Sequence, residues 1–124
     1  MRRERQANEQ FLRFALAYRS GGTAFDRLPA SLQQAMLDNA LASLCEIDAG
    51  TGEYLSPAQI ASIACPVTCL VGALSLPFYH AASRRIAQML PQAKHQEVAG
   101  AGHFAFFDQP DAFVKAVQNE KETT

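Results

Sequence analysis

One short run limits what this chain can fold into. Pro66-Val67-Thr68-Cys69-Leu70-Val71-Gly72 is apolar, rich in β-branched residues, and closed by proline at one end and glycine at the other. Such a run reads as a strand buried on both faces, as in a parallel sheet. A second, weaker strand is expected from Lys94 to Val98. Two strands alone make a sheet that is marginal in water. The edge of the first would stay open to pairing unless something covers it.

The segments around these strands alternate in type. After Gly72, Ala73 to Pro77 reads as a loop. Tyr79, Ala82, Ile86, Met89 and Leu90 then recur at helical spacing, and the helix should stop before Pro91. Gly100-Ala101-Gly102-His103 forms a tight turn after the second strand. Asp108 is placed to cap a last helix opening at Pro110, with Phe113, Val114 and Val117 inward. Strand, helix, strand and helix in this order predict an α/β fold with a βαβα unit and parallel strands. Functional loops in such sheets lie beyond the carboxyl ends of the strands. Here those are Ala73 to Pro77 and Gly100 to Phe107.

The first half reads as helical. Phe11, Phe14, Ala15 and Tyr18 share one helical face, and Ser20-Gly21-Gly22 stops that helix. Asp26 to Pro29 connects to a second helix that Ser31 can cap, with Leu32, Ala35, Met36, Leu41 and Leu44 as its apolar stripe. Asp48 to Gly52 is a loop. Ser56-Pro57-Ala58-Gln59 resembles a capping box with proline at the first helical position, opening a short helix through Ile63. The polar tail Asn119 to Thr124 should fray.

Composition excludes several functions. A formal net charge of -1 offers no electrostatic reason to bind nucleic acid or an anionic membrane. Arg2, Arg3 and Arg5 are interrupted by Glu4 and followed by Glu9, and read as a solvated helix start. No apolar run approaches the ~20 residues of a spanning helix, and no apolar signal-peptide region follows the first arginines, so the expected compartment is the cytoplasm. Cys45, Cys65 and Cys69 are odd in number, which argues against a disulfide framework. Four residues along a strand span ~13 Å, too far for a Cys65–Cys69 disulfide; these thiols read as small buried hydrophobes. No second Cys/His cluster suggests zinc. No metal or organic cofactor is expected.

A family resemblance emerges from four pieces in order: Cys65-Pro66-Val67 through Val71-Gly72, Leu90-Pro91-Gln92-Ala93, Gly100-Ala101-Gly102-His103-Phe104, and Pro110-Asp111-Ala112-Phe113. Together they resemble the C-terminal ending of α/β-hydrolases. Upstream, Phe25-Asp26-Arg27-Leu28-Pro29 and Asp38-Asn39-Ala40 look like the helical cap segment of some of these enzymes. The resemblance implies a partial α/β-hydrolase fold. Residues 1–63 would be cap-like helices, residues 64–118 the end of the core, and residues 119–124 a flexible tail. It also implies hydrolysis of an ester or related acyl or carbon–heteroatom bond in a small-molecule substrate.

In that family, the loop after the last strand brings a histidine to a serine nucleophile, and His103 matches this position. Imidazole accepts and returns a proton near neutral pH, as general base and then general acid. Gly100 and Gly102 would let the backbone turn sharply beside it. His80 reads as solvated or at the site mouth, and His95 as a surface residue. Phe104, Phe106 and Phe107 read as packing residues that could also wall an apolar pocket.

The nucleophile elbow, Gly-x-Ser-x-Gly, is not found among these residues. Ser75 stands at a strand end, in the loop that often bears the family's triad acid, but Ala73 to Pro77 holds no carboxylate. Capping the helix at Pro77 is its expected role. Either the acid comes from an earlier strand outside this chain, or the triad is degenerate. Correspondingly, the chain is a C-terminal fragment, or pairs with a polypeptide carrying the serine half, or self-associates or covers its bare faces with its own helices. The alternative function is a non-catalytic interaction or ligand-binding module derived from a hydrolase. With no serine for His103 to activate, the isolated chain should resist covalent labelling by a fluorophosphonate probe. Stoichiometric labelling at one serine, read by intact-mass spectrometry, would overturn this expectation.

Overall fold

A computed structural model describes residues 2–49 and 55–118. Its helices are α1 (Arg2–Ala15), α2 (Ala30–Asp38), α3 (Ala40–Asp48), α4 (Pro57–Ala61), α5 (Pro77–Met89), α6 (Ala105–Asp108) and α7 (Pro110–Gln118). Its strands are β1 (Val67–Gly72) and β2 (Ala93–Val98). The strands pair in parallel from Val67 opposite Ala93 to Gly72 opposite Val98. They form a two-stranded sheet with α5 as the crossover. The βαβα order and the parallel pairing expected from the sequence are therefore present. No described helix is long and apolar enough to cross a membrane.

Several local readings change. β1 is not buried on both faces: residues 67–70 are half-buried, and only Val71 and Gly72 are buried. A two-stranded sheet leaves one edge of β1 without a neighbour, so its apolar run cannot be enclosed. Cys65 is exposed just before this strand, and Cys69 is half-buried within it. In α5 the buried position is His80, while Ile86 is 39% exposed. In α7, Ala116 is buried, whereas Val114 and Val117 are exposed. Leu90 is buried, and Tyr79, Met89 and Phe113 are half-buried as expected, but Ile86, Val114 and Val117 face outward while His80 and Ala116 take buried places.

The N-terminal half departs in the same way. α1 ends at Ala15, with Phe11 and Phe14 exposed and Asn8 fully buried. Asn8 Nδ2 donates to the Met36 carbonyl at 3.0 Å, tying α1 to α2. The expected second helix is two helices divided at Asn39, and Leu32 and Leu41 face outward. Ser31 does not cap it; Pro29 occupies that position without a side-chain bond. Residues 24–27, expected as part of a connection, form a 3₁₀ turn capped by Thr23, whose Oγ1 accepts from the Phe25 N–H. Ser56 and Gln59 do form the reciprocal capping box. Most of the 48–52 loop, and the 119–124 tail, lie outside the described residues.

The main apolar cluster is not centred on the sheet. Leu16, Tyr18, Ala24, Phe25 and Leu28 form it, with Leu12, Met36, Leu37, Leu74, Phe104 and Phe107 packed around them. Full burial of a side chain such as Phe25 contributes about 1.5–3 kcal/mol. This cluster presses the turn between α1 and α2 onto the two loops at the carboxyl ends of the strands. Arg19 N–H donates to the Leu74 carbonyl at 2.8 Å, and Tyr79 Oη donates to the Ala15 carbonyl at 3.0 Å. A smaller cluster of Val98, Ala101 and Ala105, with Phe113, seats α7 against β2.

The loops meet at two glycines. A Cβ on Gly72 would lie 2.1 Å from the Gly102 carbonyl oxygen, and one on Gly102 would lie 2.7 Å from the Tyr18 ring. Backbone resists displacement more than a ring does. Gly72→Ala should therefore cost about 3 kcal/mol and Gly102→Ala less, measured by urea unfolding. A smaller loss for Gly72→Ala than for Gly102→Ala would contradict this packing.

Candidate functional site

His103 stands on the turn that follows β2, beyond the carboxyl ends of both strands. Gly100 supplies the positive φ (71°) that opens this turn. The contribution of Gly102 is different: its lack of a side chain admits both Gly72 and Tyr18. Ala73 N–H donates to the Val98 carbonyl at 2.9 Å, and Leu74 N–H to the Ala101 carbonyl at 2.8 Å. These bonds stitch the loop after β1 to the loop after β2.

A carboxylate that sequence reasoning had assigned elsewhere locks the arrangement. Asp108 does not cap the last helix. It closes α6, a helical turn not expected from the sequence, and its side chain is fully buried. Its Oδ2 accepts from the Gly102 N–H at 2.8 Å, and its Oδ1 accepts from Tyr18 Oη at 2.7 Å. Arg27 Nη1 lies 3.4 Å from Oδ1 and 3.1 Å from Tyr18 Oη. Burial, reinforced by the bond to Asp108, pushes the Tyr18 phenol above its ordinary pKa, with the nearby Arg27 opposing. Asp108 thus holds the Ala101–Gly102 peptide, one link upstream of the peptide that leads into His103. Tyr18 and Asp108 lie 90 residues apart, so no local pattern announced their pairing.

The His103 ring stacks on Tyr79, with centroids 3.9 Å apart and planes 11° from parallel. Phe104 and Phe106 continue the aromatic group, with their centroids 5.0 Å apart. Phe104 and Phe107 reach the main core, while Phe106 is 55% exposed. Beside the imidazole is a cleft of 160 Å³ lined by Leu70, Gly72, Ser75, Tyr79, Phe106 and Phe113, among others. A larger hollow of 570 Å³ lies away from His103, between the start of α1 and residues 37–41. It has no histidine or serine in its lining, so its size does not make it the chemical site.

The remaining candidates move. Ser75 does not cap α5; Leu76 precedes that helix without a side-chain bond. Ser75 is fully buried and its hydroxyl has no hydrogen-bond partner. His80 is buried rather than solvated, with Nδ1 3.4 Å from Glu97 Oε1. His95 is half-buried in β2, with an enclosed Nε2 that has no hydrogen-bond partner. No group of three or more His, Cys, Asp or Glu suited to a metal occurs among the described residues. No protein-family model matches the chain, and neither curated proteins nor solved structures provide a match.

Partial burial lowers the His103 pKa from its ordinary value. The ring is therefore neutral, and able to accept a proton, over a wider range on the acid side. In the window between the lowered and ordinary values, the unfolded chain binds more protons at this site. The associated stability is present above the ordinary value and is lost as pH falls through the lowered one. An NMR titration should place the His103 midpoint below the ordinary ~6.5, and Tyr79→Ala should move it upward by uncovering the ring. A wild-type midpoint at or above the ordinary value would refute the effect.

Proposed function

We propose that this chain is the C-terminal part of an α/β-hydrolase, with cap-like helices through residue 63 and the end of the core domain from 64 to 118. The supporting observation is the position of His103: a glycine-bounded turn beyond the carboxyl ends of two parallel strands, with an exposed ring whose partial shielding lowers its pKa. In the reaction, His103 takes the proton of a serine as its oxygen attacks the acyl carbon. It then returns that proton to the leaving group. The serine belongs to sheet strands that would adjoin the open edge of β1, in the same polypeptide or in a second one. Ser75 does not fill this role, since its hydroxyl is enclosed and bonded to no base.

No carboxylate stands in the loop from Ala73 to Pro77. The triad acid in this reading comes from outside the chain, or the triad is degenerate. Asp108 acts as a positioning residue, holding the Ala101–Gly102 peptide upstream of His103. The serine in place of an acid favours a second reading, a hydrolase-derived module that keeps the 160 Å³ cleft for ligand binding without catalysis. The substrate is a small ester or related acyl compound.

The upstream reading frame provides the test. It should encode an in-frame Gly-x-Ser-x-Gly, and the longer product should react with a fluorophosphonate. In that product His103→Ala should slow labelling by ~10²–10⁴-fold. Labelling at the wild-type rate in the variant, or a labelled product whose nucleophile is not in such an elbow, would refute the assignment.

A further inference from the structure

A second cleft, of 230 Å³, lies beside the first turn of α5 and shares Ser75 with the His103 cleft. Its lining includes Arg19, Ser75, His80, Arg84 and Glu97. Pro77, His80, Ala81 and Arg84 present one helical face to it, at spacings of three, four and seven residues. We propose that this cleft is a binding site for a tetrahedral oxyanion, the phosphoryl group of a small phosphate or phosphomonoester.

Polar groups without protein partners make the case. Ser75 is 0% exposed and His80 is 8% exposed. Among the described residues, the Ser75 hydroxyl and both ring nitrogens of His80 make no hydrogen bond, and the Glu97 carboxylate lies 3.4 Å from His80 Nδ1. A buried polar atom left unpaired costs about 1–3 kcal/mol, so a ligand that satisfies several of them at once is strongly favoured. Ser75 and His80, both buried, line the cleft. The exposed Arg19 and Arg84 form the rim, and neither side chain has an ion pair among the described residues. Helix α5 has thirteen residues and begins with no side-chain cap, so its positive end lies beside the same cleft.

The charge balance selects the ligand class. Two guanidiniums face one carboxylate, Glu97, whose Oε1 lies 3.4 Å from His80 Nδ1. That contact is longer than a good hydrogen bond, but it turns the Nδ1 side of the ring toward Glu97, so Nε2 donates to an oxyanion when the ring carries both protons. An imidazole and a guanidinium come from α5, a hydroxyl from the loop before it, and a second guanidinium from the turn after α1. Such a spread of donors suits the several oxygens of a phosphoryl group better than a planar carboxylate. The site stands independently of any hydrolytic role for His103.

Calorimetric titration of the purified chain with inorganic phosphate at ~0.15 M chloride tests the proposal. Saturable one-to-one binding, with Kd on the order of 1 mM or tighter, is the expected result. Phosphate should also raise the thermal midpoint by mass action. Arg19→Ala and Arg84→Ala should each weaken binding by about tenfold. Both arginines are exposed and unpaired, so unfolding in phosphate-free buffer should be unchanged; Arg84→Gln provides a second variant at the same position. Acetate should bind at least ~10-fold more weakly, and His103→Ala should bind phosphate like the wild type. Absence of saturation, arginine variants that bind normally, acetate that binds equally well, or loss of binding in His103→Ala would each overturn the assignment.

Discussion

The turn bearing His103 crosses the end of β1 at a separation that no side chain tolerates. A Cβ at Gly72 would fall 2.1 Å from the Gly102 carbonyl oxygen, far inside van der Waals contact. The two loops therefore meet through main-chain atoms, and amide-to-carbonyl bonds hold them together. Nothing in a two-stranded sheet would keep such a junction closed by itself. The closing force comes from above. The Leu16–Leu28 turn buries its aromatic and aliphatic side chains over both loops, and Tyr18 reaches down to Asp108. The position of His103 thus depends on the docking of a segment more than seventy residues away.

This arrangement explains why the sheet is not the centre of the core. β1 has the most apolar sequence in the second half, yet most of it is half-buried. Two parallel strands present more apolar edge and face than the described helices cover. Phe11, Phe14, Phe78, Val114 and Val117 also remain exposed. Strand pairing here positions loops, while the turn between α1 and α2 supplies the larger block of buried apolar surface. A strand edge left in this state is open to a further strand, which is why the hydrolase reading and any account of self-association meet at β1.

Two neighbouring clefts differ in chemistry although Ser75 contributes to both. On the His103 side, aromatic and aliphatic walls surround one imidazole. On the α5 side, arginines surround a buried hydroxyl and a second imidazole. The first environment partly shields an imidazole that remains exposed overall, which lowers its pKa. The second offers unpaired donors and net positive charge. Ser75 lines both the apolar cleft and the proposed oxyanion cleft.

The sequence alone determined the order and type of β1, α5, β2 and α7, though not the short α6 between the last two. Proline and glycine bracket the β-branched run at Val67–Val71, Pro77 and Pro91 bound α5, and Gly100 requires the turn before His103; each signal acts through backbone torsions within a few residues. The capping box at Ser56 and Gln59 was legible for the same reason. Which face each helix buries was not. Periodicity locates a stripe, but packing chose His80 and Ala116 over Ile86, Val114 and Val117, and the exposure of Phe11 and Phe14 follows from what lies opposite α1. The roles of Asp108, Tyr18 and Ser75 were likewise decided only in three dimensions. A carboxylate near a helix start matches a cap in sequence, and only the approach of Tyr18 and the Gly102 amide, from distant segments, converts it into the lock on the His103 turn. Local torsional preferences are written residue by residue, whereas burial and long-range hydrogen bonding depend on which surfaces the folded chain brings together.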